Sequence, residues 1–417
     1  MTDFYDTLEN RSPEERETET FAALENLMAK ALPKLPVLAE WLGHPVAGAF
    51  SDRTALAKLP VMRKPDLMEL QSANPPFGGL ADPEALQGNH VFLSPGPVWE
   101  PQGFGVDPWQ SARSLFAAGF RAGDIVHNAF SYHMTPGAFI IDEGARALGC
   151  LVFPAGTGNT EQQVEAAGQL KPTAYTGTPD YLKIILEKAD AMGQDLSSIR
   201  RALVSGGALF PALRSYYADR GIATLQCYAT ADLGLIAYES VDDNGQPHPG
   251  MVLNEKLVVE IVRPGTNDPV ADGEVGEVVV TTLNPAYPLI RFGTGDLSKL
   301  IPGQSPCGRT NARIAGWMGR ADQRTKVKGM FVDPKQIAAL VAEHSSIARA
   351  RLTVTRVDDS DTMTLSIEAA EGSTPDIEAI ATSLVNHTKL RGVINVVTAG
   401  SLPNDGKVVS DERNYDA

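Results

Sequence analysis

An α/β fold is predicted for this chain: a large N-terminal domain of parallel and mixed sheets flanked by helices, with a β-rich subdomain, then a small mobile α+β C-terminal domain. Three observations predict it. Through residues 125–228, short apolar runs alternate with segments of helical period, which is how parallel strands joined by helical crossovers read. After about residue 235, β-branched runs separated by Gly, Asp, Asn and Pro take over and read as an antiparallel sheet or a small barrel. Beyond about residue 320 the order is strand, helix, strand, strand, helix, strand, a compact α+β unit.

The elements follow in chain order. Residues 1–25 carry eight acids and two bases and read as a solvated amphipathic helix, with Phe21, Leu24 and Leu27 or Met28 on its apolar face. No chemistry is assigned to it. A strand over 125–130 leads to a helix over 137–148, and a strand over 150–154 to a helix over 160–170 opened by Asn159 or Thr160. Residues 173–176 precede a helix starting at Thr178-Pro179, where Thr caps and proline takes the first turn; its face is Tyr181, Ile184, Ile185 and Leu186. A strand over 201–205, a glycine turn, a helix over 211–219 and a strand over 223–228 complete an open doubly wound sheet, whose ligands sit at the carboxyl ends of its strands. The β-rich subdomain covers about 236–318 and closes a domain of residues 1–318. The Gly/Arg-rich stretch 316–329 contains the expected hinge, 319–322, and residues 323–417 form the lid domain. Within the lid, helices over 334–343 and 375–389 alternate with strands over 348–357, 361–369 and 393–399.

Composition bounds the function. Among 417 residues, 51 acids against 36 bases give a formal net charge of −15, which argues against nucleic acid or an anionic membrane as partner and leaves room for a local anion site. The 43% hydrophobic and 21% charged content excludes disorder, collagen-like repeats and fibrous heptads. Cys150, Cys227 and Cys307 stand 77 and 80 residues apart, without the spacing of a zinc knuckle or a disulfide framework, and point to a reducing compartment. The start, MTDFYDTLENR, has no basic region followed by an apolar stretch, and no run approaches the ~18 apolar residues of a membrane span. A cytoplasmic protein is expected.

Four separated pieces carry the chemistry. Ser205-Gly206-Gly207-Ala208-Leu209 runs from a strand through a glycine turn into a helix; it would let a planar or phosphorylated ligand approach the backbone, or is simply a tight turn. Gln226-Cys227-Tyr228-Ala229-Thr230-Ala231-Asp232 offers a ring to stack a base, a hydroxyl for a phosphate oxygen and a carboxylate for magnesium, or is a capped turn. In Arg291-Phe292-Gly293-Thr294-Gly295-Asp296, an acid held by a glycine turn can take both hydroxyls of a ribose. Gly319-Arg320-Ala321-Asp322, then Lys326, Lys328 and Gly329, and the late Gly406-Lys407 supply cations suited to phosphate or carboxylate, or to plain solvation.

In this order and at these separations the pieces resemble the adenylate-forming, acyl-CoA synthetase superfamily, specifically its phenylacetate–CoA ligase-like branch. The resemblance covers nearly the whole chain: ALAKLPVMRKPDL, YHMTPGAFIIDEGARALGCLVFP, PTAYTGTPDYL, LVSGGALF, QCYATADLG, GEVGEVVVTTL, PLIRFGTGDL, GRADQRTKVKGMFVDPKQI and GSLPNDGK. It implies that a carboxylic acid is activated with ATP to an acyl adenylate and passed to the thiol of coenzyme A. It implies that Gly206, Gly207 and Tyr228 frame the adenine, with Ser205, Ala208, Gln226, Cys227 and Ala229 beside them, and that Thr230 reaches the α-phosphate. Asp232 stands where the family normally has a glutamate that helps bind magnesium. Asp296 matches the ribose-binding aspartate, and Arg320 the nucleotide-site arginine. Asp322 matches the hinge about which the small domain rotates, and Lys407 the lysine bridging carboxylate and α-phosphate, offsetting charge as two anions meet. Homodimers are usual in such families.

One element departs from the pattern. The family's Ser/Thr/Gly-rich phosphate loop ends in Lys-Pro, whereas this chain has Leu93-Ser94-Pro95-Gly96-Pro97-Val98-Trp99-Glu100-Pro101. Two internal prolines remove backbone donors, and Glu100 replaces the lysine. At a few ångströms and an effective dielectric of ~20, that change of sign is worth several kcal/mol against ATP unless the side chain turns outward. Two readings follow: a ligase that tolerates the loop, or a degenerate paralogue binding AMP, an acyl adenylate or an aryl acid as an accessory biosynthetic protein. The acyl pocket is expected between Tyr132, His133, Met134, Thr135, Pro136 and Gly137 on one wall and Thr176-Gly177-Thr178 on the other, a surface suited to an aryl or arylacetyl group. His133 reads as a pocket hydrogen bonder, because a substrate that is already a carboxylate needs no general base. Residues 156–160 read equally as phosphate contact or as loop and cap. His248 stands alone, without metal-ligand spacing.

Overall fold

The structure is a computed structural model and describes residues 4–86, 88–242, 244–321, 323, 325–357, 360–403 and 408–413. The chain divides into two compact units, Met1–Met318 and Gly319–Ala417.

The N-terminal acids form two helices rather than one. Asp6 caps a short 3-10 turn, Thr7–Asn10, and Ser12 opens Pro13–Ala31 with a reciprocal capping box in which Glu15 answers. The longer helix buries Phe21, Leu24 and Met28 and leaves Leu27 partly covered, the apolar face that the spacing requires.

The centre of the first unit is a nine-stranded sheet. In spatial order it runs Leu300–Ile301, Arg313–Ile314, Met251–Leu253, Gly234–Tyr238, Ala223–Thr230, Arg201–Val204, Ala174–Gly177, Ile125–Asn128, Leu151–Pro154. The last five are parallel, as the alternating pattern predicts. The helices Gly137–Ala147, Thr160–Leu170, Pro179–Met192 and Pro211–Asp219 link them. Pro179–Met192 buries Leu182, Ile185, Leu186 and Ala189, while Ile184 is half exposed, so its inner stripe is rotated from the one read off the sequence. Thr178 precedes it without a side-chain capping bond; the proline alone sets the first turn.

The β-rich region is not one separate barrel. Ala223–Thr230 turns directly into Gly234–Tyr238, its antiparallel neighbour, so the large sheet simply continues through the supposed boundary. A second sheet, Met62–Arg63, Phe292–Ser298, Gly276–Thr282 and Leu257–Val262, takes the remaining β-branched runs and shares a core with the N-terminal helix. The second unit stacks the helices Pro334–Glu343 and Ile377–Thr388 on a four-stranded sheet ordered Val393–Val397, Ser360–Ala369, Ile347–Val357, Val409–Asp411. Asp322 and Lys407 lie outside the described residues.

Candidate active site

The parallel strands place their carboxyl ends at Asn128, Pro154, Gly177, Val204 and Thr230. After Ile125–Asn128 the next strand lies on one side and the one after it on the other, so the sheet order reverses there and opens a crevice between the following loops. Residues 129–136 and Thr178 border that crevice, and the segments 205–208 and 231–232 extend it along the strand ends.

Several sequence-expected residues meet. Tyr228 donates its phenolic hydrogen to Asp296 Oδ2 at 2.8 Å, and Trp317 Nε1 donates to Asp296 Oδ1 at 3.0 Å. The carboxylate is thus aimed by two rings in an otherwise buried position. Ser205 Oγ donates to the carbonyl of Cys227 at 2.8 Å, tying the glycine turn to the neighbouring strand end. Gly206 adopts φ of 73°, the left-handed region that glycine enters without strain. Gly207 lies over the ring of Pro179, where a Cβ would reach ordinary contact at 3.5 Å. Ala208 continues this segment into the helix Pro211–Asp219. Thr230 Oγ1 accepts from the backbone N–H of Leu233 at 3.2 Å.

Other side chains are engaged inward. Gln226 donates to Glu239 at 2.9 Å, and Glu239 in turn receives two bonds from Arg214. Cys227 is a core residue, and burial pushes its thiol up to about 12. Ala229 lies opposite Leu235 across the turn. Thr176 is fully buried and donates to Asn128 Oδ1 at 3.0 Å. Asn128 donates to the Tyr132 hydroxyl at 2.8 Å, which donates to Asp142 at 2.7 Å. Tyr132 therefore offers its ring, packed edge-on to Phe139. His133 and Met134 are exposed; Met134 lends its carbonyl to the N–H of Leu93 at 2.8 Å and so joins this loop to the segment 91–101. Pro136 and Gly137 begin the next helix, and Gly177 has no room for a Cβ beside the Tyr175 hydroxyl. Gln163 gathers the carbonyls of Gly156 and Gly158 at 3.0 and 2.7 Å, which accounts for 156–160 as an internally tied loop.

Segment 91–101 is a β-hairpin, Val91–Ser94 against Val98–Pro101. Alternation turns Ser94, Val98 and Glu100 inward and Trp99 outward. Glu100 accepts from Ser94 Oγ at 2.5 Å. Burial first, and then the neighbouring Asp232 carboxylate, push its carboxyl well above the ordinary carboxylate range. This corrects the sequence expectation. Glu100 does not turn outward; it is folded into a cluster.

The cation of that cluster comes from elsewhere. Lys64 is the first residue of the helix Lys64–Ala73, and its ammonium lies 3.2 Å from Asp232 Oδ1 and donates to Oδ2 at 3.3 Å and to Ser94 Oγ at 3.4 Å. The other end of this helix grips the hairpin: Gln71 accepts from the N–H of Trp99 at 2.8 Å and donates to its carbonyl at 2.7 Å. A cavity of about 200 Å³ runs beside the cluster, with Phe92, Glu100, Trp109, Pro136, Asp232 and Tyr287 among its lining. Sequence reasoning missed Lys64 and Trp317. The signal for Lys64 was a cation at a helix N-terminus, the end of the dipole that disfavours it.

Asp232 Oδ1 accepts no hydrogen bond among the described residues and is faced by the Lys64 ammonium at 3.2 Å; a buried carboxylate oxygen facing a cation suits a hard divalent ion as well. Among the described residues, no group of three or more His, Cys, Asp and Glu side chains could hold a metal. Arg320 lies in the second unit, its guanidinium 5.7 Å from the centre of the Phe331 ring. Among the described residues, no helix is long and apolar enough to cross a membrane.

Comparisons with known proteins agree with this geometry. The model of the AMP-binding enzyme family matches residues 112–286. The phenylacetate-coenzyme A ligase of Aromatoleum evansii is 32% identical over 327 residues, 75% of this chain and 72% of that protein. The phenylacetate-coenzyme A ligase of Escherichia coli strain K12 is 31% identical over 339 residues, 78% and 75% of the two chains. Among solved structures, 2-hydroxyisobutyryl-CoA ligase with 2-HIB-AMP and CoA superposes with a TM-score of 0.79 at 23% identity, over 98% of this chain and 92% of that one. At that identity the likeness speaks for the fold.

Proposed function

This chain belongs to the phenylacetate-coenzyme A ligase family of AMP-binding enzymes, and from that premise we propose how its own residues activate an aryl or arylacetic acid with ATP and pass it to coenzyme A. The relatives described above are named as ligases, and the reading of the chain as a degenerate binder finds no support among them.

The observation that carries the proposal is the meeting of Tyr228 and Asp296 at the strand ends. Two segments 68 residues apart supply an aromatic face and a pre-aimed carboxylate within 2.8 Å, which suits a nucleoside: the ring against adenine, the carboxylate on the ribose hydroxyls. Ser205, Gly206, Gly207 and Ala208 form the turn against which the base would pack. Thr230 then lies next along the strand toward the α-phosphate.

Chemistry follows in two steps. A carboxylate oxygen of the acid attacks the α-phosphorus, the bond to pyrophosphate breaks, and an acyl adenylate forms. The thiol of coenzyme A, losing its proton to solvent, attacks the acyl carbon, and AMP leaves. Asp232 would hold magnesium, which would supply charge neutralisation at the phosphates. Lys407 bridges the two anions in the first step, Arg320 serves the nucleotide, and Asp322 is the hinge, as the resemblance implies. The acyl group would sit near Tyr132, His133, Met134, Pro136 and Gly137, of which Pro136 lines the cavity beside Asp232; Thr176 and Gly177, expected as the opposite wall, are buried, and Thr176 is bonded inward to Asn128. The buried thiols accord with a reducing, cytoplasmic setting, and a homodimer is the expected assembly.

Incubation of the full chain with ATP, magnesium, coenzyme A and a panel of acids, followed by loss of free thiol, tests this reading. Aryl and arylacetic acids are expected to consume thiol at least about tenfold faster than short aliphatic acids of equal concentration. Equal rates would remove the aryl assignment, and no consumption with any acid would remove the transfer step.

A further inference from the structure

We propose that Lys64 is the cation that holds the β- and γ-phosphates of ATP in this protein, replacing from a different element the lysine that segment 91–101 lacks. The inference rests on the ligase reading above, because it presupposes that ATP is the nucleotide.

Four observations lead there. The ammonium of Lys64 stands at the inner face of the hairpin, 3.4 Å from Ser94 Oγ, so it occupies the ground that the phosphate loop encloses. Its aliphatic stem lies along the turn, where a Cβ placed on Gly96 would meet Lys64 Cε at 3.2 Å. A larger residue at 96 would displace the cation. The same ammonium lies 3.2 Å from Asp232, the carboxylate that would hold magnesium. Its partner on the loop, Glu100, is turned into the protein against Ser94 and leaves the surface to Lys64.

The backbone setting points the same way. Lys64 opens a ten-residue helix, where the unsatisfied N–H groups and the helix dipole already favour anions. A lysine there is poorly placed for the helix and well placed for a polyphosphate. Without nucleotide, its charge is balanced by Asp232. With magnesium and ATP bound, Asp232 would serve the metal and the ammonium would be released to the phosphate oxygens. Charge is conserved in the exchange: one ion pair is replaced by two.

Calorimetry of the full chain with ATP and, separately, with AMP, in magnesium and without acid, tests this. Replacing Lys64→Gln is expected to weaken ATP binding about ten- to hundredfold, the loss of a charge-assisted contact. AMP binding, which lacks the β- and γ-phosphates, is expected to change less than about threefold and shows that the variant is folded. Lys64→Arg, which keeps the charge, is expected to hold ATP affinity within about fivefold of the unaltered protein. Equal weakening of ATP and AMP by Lys64→Gln, or unaltered ATP affinity, would overturn the assignment. If ATP binding depends on Lys64 but no acid supports adenylation, the ligase reading fails and this assignment stands.

Discussion

Among the described residues Arg291 is the largest fully buried side chain, and it belongs to a segment whose other end, Asp296, accepts from Tyr228. Its Nε and Nη2 donate to Glu260 at 2.9 and 3.0 Å, and the guanidinium also reaches the carbonyls of Ala57, Leu59 and Asn267. Five donors find five acceptors, so the residue is structural and serves the site by pinning the strand that carries Asp296. Replacing Arg291→Met would leave Glu260 buried without its partner, and a loss of about 3–5 kcal/mol in a urea titration is expected. A change under about 1 kcal/mol would contradict this assignment. The sequence singles out Asp296 because glycines frame it within one short segment, and the structure brings Tyr228 to it. The sequence does not single out Lys64, since its partner Asp232 lies 168 residues further on and only the folded hairpin brings Ser94 between them.

At the scale of elements, the helix Gly137–Ala147 decides how closely the crevice is framed. A Cβ on Gly144 would come within 1.9 Å of Ser111 Oγ and 2.6 Å of the N–H nitrogen of Ala112, both in the start of the neighbouring helix Ala112–Ala117 or just before it. Gly144→Ala must therefore push the two helices apart, and a loss of about 1–3 kcal/mol is expected. Thermal unfolding would show it as a Tm lower by a few degrees; an unaltered Tm would mean that the two backbones have room to spare. The parallel strands were legible because each is a short apolar run followed by a helical period. The strand Gly234–Tyr238 was assigned to a separate lobe because composition changes there, while pairing does not: the turn 231–233 hands the chain back along Ala223–Thr230. Hydrophobic period reports burial, not which sheet a strand joins. Likewise, the inner stripe of Pro179–Met192 was misread because Tyr181 and Ile184 are apolar by type yet lie toward the surface.

For the whole molecule, a net charge of −15 sets the electrostatic problem that the site must solve. A protein so acidic repels ATP at long range, so affinity must come from a few placed cations and from oriented donors. The structure supplies Lys64 at the hairpin, and the resemblance assigns Lys407 to the second compact unit. Glu100, which in the sequence reads as a charge reversed against the substrate, is buried against Ser94, where burial and the Asp232 carboxylate push its carboxyl well above the ordinary range, and it becomes part of the cluster that contains Lys64 and Asp232. The most direct measurement of the account is the exchange of labelled pyrophosphate into ATP by the full chain. Exchange that requires an aryl acid and falls at least about a hundredfold in Lys407→Ala is predicted, since the bridging charge is lost only in the adenylation step. Exchange that is absent across a panel of aryl acids, or that persists unchanged without the Lys407 side chain, would contradict it.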